Sequence, residues 1–212
     1  MQPLNNPWDE RYAQQDHLYG QDANQFIQEI SQKIPLSGKT LGLAEGEGRN
    51  LLFLAEQAQL QHRSFEAELW DYSQVALDKA QRYAAEKDIH LLTRHIDLSQ
   101  ATWQPNAYDN IICVFGHFDP NTRQHVLKGV RESLKHDGYF IGEVYSTAQL
   151  AYQTGGPPSI DMLYDPIQFL QYFKNDHLMH FFVGEVERFE GQLHHGLSHV
   201  IQFAIQINKS AE

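Results

Sequence analysis

Thr40-Leu41-Gly42-Leu43-Ala44-Glu45-Gly46-Glu47-Gly48-Arg49-Asn50 is the stretch on which the fold turns. Mostly apolar residues give way to a glycine-bearing turn, and the turn leads into residues 49–60, which carry apolar side chains at helical spacing. A strand–turn–helix unit leaves free N–H groups at the helix N-terminus, where they attract an anion such as a carboxylate. Gly46 and Gly48 put no side chain where a ligand could approach the backbone. Residues 65–71 read as the next strand. Asp71 ends it, placed to accept two hydrogen bonds from a ribose diol. These residues predict a ligand with an adenosine-like ribose and an anionic tail.

Outward from this unit, short apolar runs alternate with helical patterns. A helix is expected over 74–86, a third strand over 89–95, a fourth over 109–115, a helix over 120–135 and a fifth strand over 139–145. Residues 109–115 are almost continuously apolar, as in a strand covered on both faces. The alternation predicts a parallel sheet with helices on both sides. Pro166 opens a further helix reaching about Phe173. Residues 178–189 and 197–207 then read as strands, the second half-exposed, joined by the Gly-bearing connection 190–196 into an antiparallel hairpin. Ahead of the sheet, Asp22 is placed to cap a helix running to about Ile34.

Composition narrows the function. The 212 residues suit one α/β domain, and 42% hydrophobic content is enough for a core. The net charge of −11, with no long basic run, argues against nucleic-acid and anionic-membrane partners. The single cysteine, Cys113, lies in an apolar run and reads as a buried, inert thiol. No signal-peptide pattern and no membrane-spanning run is visible, so a cytoplasmic protein is expected.

Two nucleotide-binding patterns fail. The dinucleotide fingerprint needs a third glycine where Leu51 stands, which disfavours a nicotinamide oxidoreductase. Ser37-Gly38-Lys39-Thr40 imitates the end of a phosphate loop, but Lys33 stands at its first glycine and the motif precedes the strand.

Taken together, Trp8-Asp9-Glu10-Arg11-Tyr12 with Tyr19-Gly20, the glycine stretch, Asp71-Tyr72-Ser73, Asp97-Leu98, and Tyr108-Asp109 into Phe115-Gly116-His117 resemble the motifs of class I S-adenosylmethionine-dependent methyltransferases. The closest group is the small enzymes of the tellurite-resistance type, and the resemblance covers nearly the whole chain. It implies a Rossmann-like seven-stranded sheet whose last strand is antiparallel. Residues 1–36 would be an N-terminal helical extension or lid, and 37–212 the methyltransferase domain. Two positions depart from the wider family: Gly42 replaces an acidic residue and Ala44 a glycine. Glu45 is placed to substitute in part for the missing acid.

The resemblance implies S-adenosyl-L-methionine as cofactor, held by Tyr19, Glu45, Gly46, Gly48, Asn50, Asp71, Tyr72, Asp97, Leu98 and Phe115. His117 and Tyr145 are the catalytic candidates. His117 either takes a proton from the acceptor or bonds a loop carbonyl. Arg11, Tyr12, Glu143, Gln149, Tyr152 and Met162 are candidates for the pocket of a small-molecule acceptor: a thiol, a metalloid oxyanion or a small metabolite. Trp8, Tyr12 and Tyr19 form either a water-excluding lid or plain packing. His194, His195 and His199 read as a solvated hairpin tip, since no zinc-ligand spacing accompanies them. A non-catalytic S-adenosylmethionine sensor is the competing reading.

Overall fold

The structure is a computed structural model and describes residues 6–191 and 194–209. Helices α1 (Pro7–Ala13) and α2 (Gln25–Lys33) precede β1 (Gly38–Leu43), α3 (Arg49–Leu60), β2 (Phe65–Asp71), α4 (Gln74–Glu86) and β3 (Leu91–His95). Then come β4 (Tyr108–Val114), α5 (Pro120–Ser133), β5 (Leu134–Tyr145), α6 (Pro166–Tyr172), β6 (His177–Glu190) and β7 (His194–Gln206). Helix starts are set locally. Ser73 caps α4, while Asp119 and Asp165 cap α5 and α6 just ahead of a proline. The cap of α2 is Asn24 and not Asp22: the Asn24 side chain accepts the Ile27 N–H at 3.2 Å.

The strand order is β3-β2-β1-β4-β5-β7-β6. β7 runs antiparallel to both its neighbours, and the other pairings are parallel. Adjacent residues of a strand point to opposite faces, so Ile111 enters one apolar layer with Leu41, Val130 and Phe140. Ile112 enters the other with Leu51, Leu69 and Leu77. Among the described residues no helix is long and apolar enough to cross a membrane.

Three details differ from expectation. Helix α5 stops at Ser133 and the chain passes directly into β5, so Asp137 and Gly138 lie inside a strand, close to a register shift against β4. β7 is not half-exposed: Ile201, Phe203, Ala204 and Ile205 are all buried. Ile201, Phe203 and Ile205 enter one apolar layer and Ala204 the other, so both faces are covered, and the Gln202 amide is spent on Glu143 at 2.7 Å. The hairpin strands reach Glu190 and restart at His194, so their connection is shorter than 190–196. The side chains of His194 and His195 lie outside the described residues.

Candidate active site

The tips of β1, β2, β4 and β5 open into one cavity of about 1530 Å³, roofed by the segment ahead of α2. Ala44 and Phe115, which follow β1 and β4, both adopt the left-handed conformation at φ +52° and +56°. L-residues pay for that conformation, and such strain gathers where a site demands a particular backbone course. Both residues line the cavity.

Glu45 is the central charge. One carboxylate oxygen accepts the Val114 N–H at 3.0 Å, and the other accepts from Asn50 Nδ2 at 2.8 Å. Both partners are neutral. Burial lifts the carboxyl from 4.5 to about 7, outweighing those hydrogen bonds. A Cβ on Gly42 would lie 3.2 Å from Glu45 Cγ, so the glutamate folds back over the glycine. Asp71 is also buried, with its carboxyl raised by burial despite hydrogen bonds from the backbone of Ser73 and Gly46, each at 2.8 Å. Those bonds fix its orientation and leave lone pairs toward the cavity. Tyr72, Asp97 and Leu98 continue the same wall.

The glycines act differently from expectation, and neither lines the cavity. A Cβ on Gly46 would fall 2.0 Å from the Tyr12 hydroxyl, so the glycine makes room for the protein's own tyrosine. Gly48, at φ +75°, starts α3 and lets it pack against Leu69 and Ala80.

Aromatic rings line the far side. Tyr145 stacks on Phe115 at 4.6 Å and on His117 at 5.4 Å between ring centres, and burial raises its hydroxyl. His117 Nδ1 lies 3.0 Å from the Met162 carbonyl, which only accepts, so this nitrogen carries the proton. Nε2 receives the Tyr145 N–H at 3.3 Å. Burial holds the imidazole down at about 4. Both ring nitrogens are engaged, which opposes the proton-acceptor reading and supports the carbonyl-bonded one.

The N-terminal segment is fastened to the same loops. Asp9 accepts from Ser73 Oγ at 2.6 Å, and Glu47, inside the glycine turn, accepts the N–H groups of His17 and Leu18. Trp8, Arg11, Tyr12 and Tyr19 thereby form a cavity wall. Arg11 lies 4.8 Å over the Trp8 ring.

Three predicted acceptor residues are elsewhere. Glu143 is fully buried, paired with Arg188 and bonded by Asn24 and Gln202. It lies one pleat below Tyr145, beneath the start of α2. Gln149 braces the loop, accepting the His199 N–H at 2.6 Å. Tyr152 donates to Glu185 at the surface. Met162 does line the cavity, as do Glu47, Arg49, Phe118 and Asp119, which sequence reasoning did not select. Asp119-Pro120, a helix-start pair directly after the His117 motif, was the available signal.

Residues 41–138 match the family model described as "Methyltransferase domain". The fold is similar to that of TehB from Haemophilus influenzae, with a TM-score of 0.68 and 16% identity over 86% of this chain. This chain spans 61% of the TehB chain's length. An S-adenosylmethionine-dependent methyltransferase from Clostridium acetobutylicum aligns with a TM-score of 0.62 and 16% identity, covering 92% of this chain and 94% of that one. One from Methanosarcina mazei gives 0.62 and 14%, covering 89% and 100%. No curated protein sequence matches significantly. The chain thus carries, over residues 41–138, a segment similar to a methyltransferase domain. Its fold is that of the enzymes whose cofactor is S-adenosyl-L-methionine.

Proposed function

We propose that this protein moves a methyl group from S-adenosyl-L-methionine to a small-molecule acceptor by in-line displacement. The observation that carries the reading is Glu45. A buried carboxylate whose hydrogen-bond donors are both neutral, facing a large cavity, suits a cationic ligand. The donor is such a ligand, and its adenosyl ribose suits Asp71, whose position is fixed by Gly46 and Ser73. At the third position of the dinucleotide pattern, Leu51 is fully buried in the core, so a pyrophosphate-binding turn has no support there.

Asp71 holds the ribose, with Tyr72, Asp97 and Leu98 beside the adenine. Glu45 and Asn50 take the amino-acid end. Tyr12, Tyr19 and Phe115 present rings toward the positive charge, which they stabilise through their faces. When bound, the donor supplies a methyl already activated on a sulfonium. The protein's task is alignment, worth roughly 7–11 kcal/mol of barrier when both reactants are held in line. His117 and Tyr145 form a stacked floor, and Arg11, Tyr12 and Met162 border the acceptor. The segment before α2 excludes water as a cover.

Calorimetry with S-adenosylhomocysteine tests the donor site. Binding is expected, and Asp71→Ala should weaken it at least tenfold. No heat with the native protein would end the proposal. Release of S-adenosylhomocysteine with an acceptor panel separates an enzyme from a protein that only senses the donor.

A further inference from the structure

We infer that the acceptor reaches this site as a preformed soft anion of the thiolate class, and that the protein removes no proton from it. The inference rests on the donor reading above. It comes from what the acceptor half of the cavity can and cannot do.

Five titratable side chains border the half assigned to the acceptor: His117, Tyr145, Tyr12, Asp119 and Arg11. His117 has a carbonyl on one nitrogen and a backbone N–H on the other. Accepting a proton would break the second bond and bury a cation facing Arg123, which already bonds the carbonyls of Asp161 and Leu163. Asp119 is spent as the α5 cap. One oxygen accepts the N–H groups of Asn121 and Thr122, and the other accepts from Thr122 Oγ1 at 2.5 Å. These bonds hold its carboxyl below the usual range, so it is a weak base. Burial raises the hydroxyls of Tyr12 and Tyr145, so both keep their protons, and Arg11 is a cation. Among the described residues of this half, none is free to take a proton near neutral pH.

The lining also selects the kind of anion. Phe115, His117, Tyr145 and Met162 offer ring faces and a thioether, with few donors. A hard oxyanion would lose its hydration there without replacement. A thiolate carries a diffuse charge, and sulfur makes favourable contacts with rings. Arg11 adds positive charge at the rim. The balance is simple: the acceptor sulfur forms a bond to the methyl carbon, the carbon–sulfonium bond breaks, and its electron pair stays on the donor sulfur, which becomes a neutral thioether. No proton changes hands within the site.

The test uses two thiols of similar shape and different acidity, 4-nitrothiophenol and 4-methylthiophenol. The pH midpoint of kcat/KM should move with the thiol, and should keep tracking it in His117→Asn and Glu45→Gln. Independently of turnover, the absorbance of 4-nitrothiophenol bound beside S-adenosylhomocysteine should be that of the thiolate. A midpoint shared by both thiols and abolished by either substitution would overturn the inference in favour of an enzyme base. A bound neutral thiol, or no thiol binding to the S-adenosylhomocysteine complex, would overturn it too. Failure of S-adenosylhomocysteine itself to bind is the separate result that removes the donor reading.

Discussion

Replacing Glu45 with glutamine should make the unliganded protein more stable and the donor site worse. Burial raises this carboxyl from 4.5 to about 7, so between those values the folded state holds a proton that the unfolded chain has released. Folding stability from this group is therefore complete below the unfolded value and lost as pH rises through the folded one. Each tenfold change in an ionisation constant is worth roughly 1.4 kcal/mol, so ionised Glu45 costs the fold about 3 kcal/mol at alkaline pH. Glutamine has the shape of the protonated acid and no pH dependence. Urea unfolding at about pH 5 and about pH 8 isolates the effect: native stability should fall between them by about 2–3 kcal/mol more than that of Glu45→Gln, other groups cancelling. Donor binding should move oppositely. Losing a charge-assisted contact of about 1.5–3 kcal/mol weakens S-adenosylmethionine roughly 10- to 100-fold at pH 8. Parallel pH curves for the two proteins would refute the buried-charge argument. Equal donor affinity would remove Glu45 from the site.

Other perturbations separate structural from functional roles. Ala44→Gly relieves a left-handed alanine at φ +52° and should stabilise by about 1 kcal/mol, read as a raised Tm; no change would mean that the turn relaxes. Gly46→Ala drives a Cβ into the Tyr12 hydroxyl and should increase proteolysis within the first 24 residues; adding Tyr12→Ala should reverse the steric part, and unchanged cleavage would dismiss the contact. Arg188→Met leaves Glu143 buried without its ion-pair partner and should cost about 3–5 kcal/mol in urea unfolding; a loss under about 1 kcal/mol would show that the fold does not depend on this pair.

What the sequence made legible is what neighbours along the chain decide. The β1–α3 turn, the Ser73 and Asp119 caps and the alternating faces of β4 follow from local spacing, and α3, β2 and α4 fall where the pattern puts them. The misplaced residues are those whose partners are distant. Asp22 and Asn24 are equivalent caps on local chemistry. Asn24 wins because its backbone N–H bonds Asn50 and its amide bonds Glu143 and Glu190. Glu143 has the strand parity of Tyr145, and only Arg188, on a strand far along the chain, shows that it belongs to the core. Gly46 reads as a space for ligand because Tyr12, which fills that space, lies 34 residues earlier.

Gly42 and Glu45 look like two separate departures, yet the glutamate side chain folds over the glycine, and a Cβ at 42 would press on Glu45 Cγ at 3.2 Å. A carboxylate is still delivered to the β1–β4 crevice, from three residues further on. Its bond to Asn50 is extended by the Asn24 N–H, so Asn24, Asn50, Glu45 and Val114 form one hydrogen-bonded chain from the N-terminal cover to the tip of β4. Because Asn24 also bonds Glu143 and Glu190, that chain reaches the C-terminal hairpin. Orientation of this cavity-facing charge is therefore a property of the assembled fold, which is why the glycine stretch alone points to a ligand without disclosing which acid lies beside it.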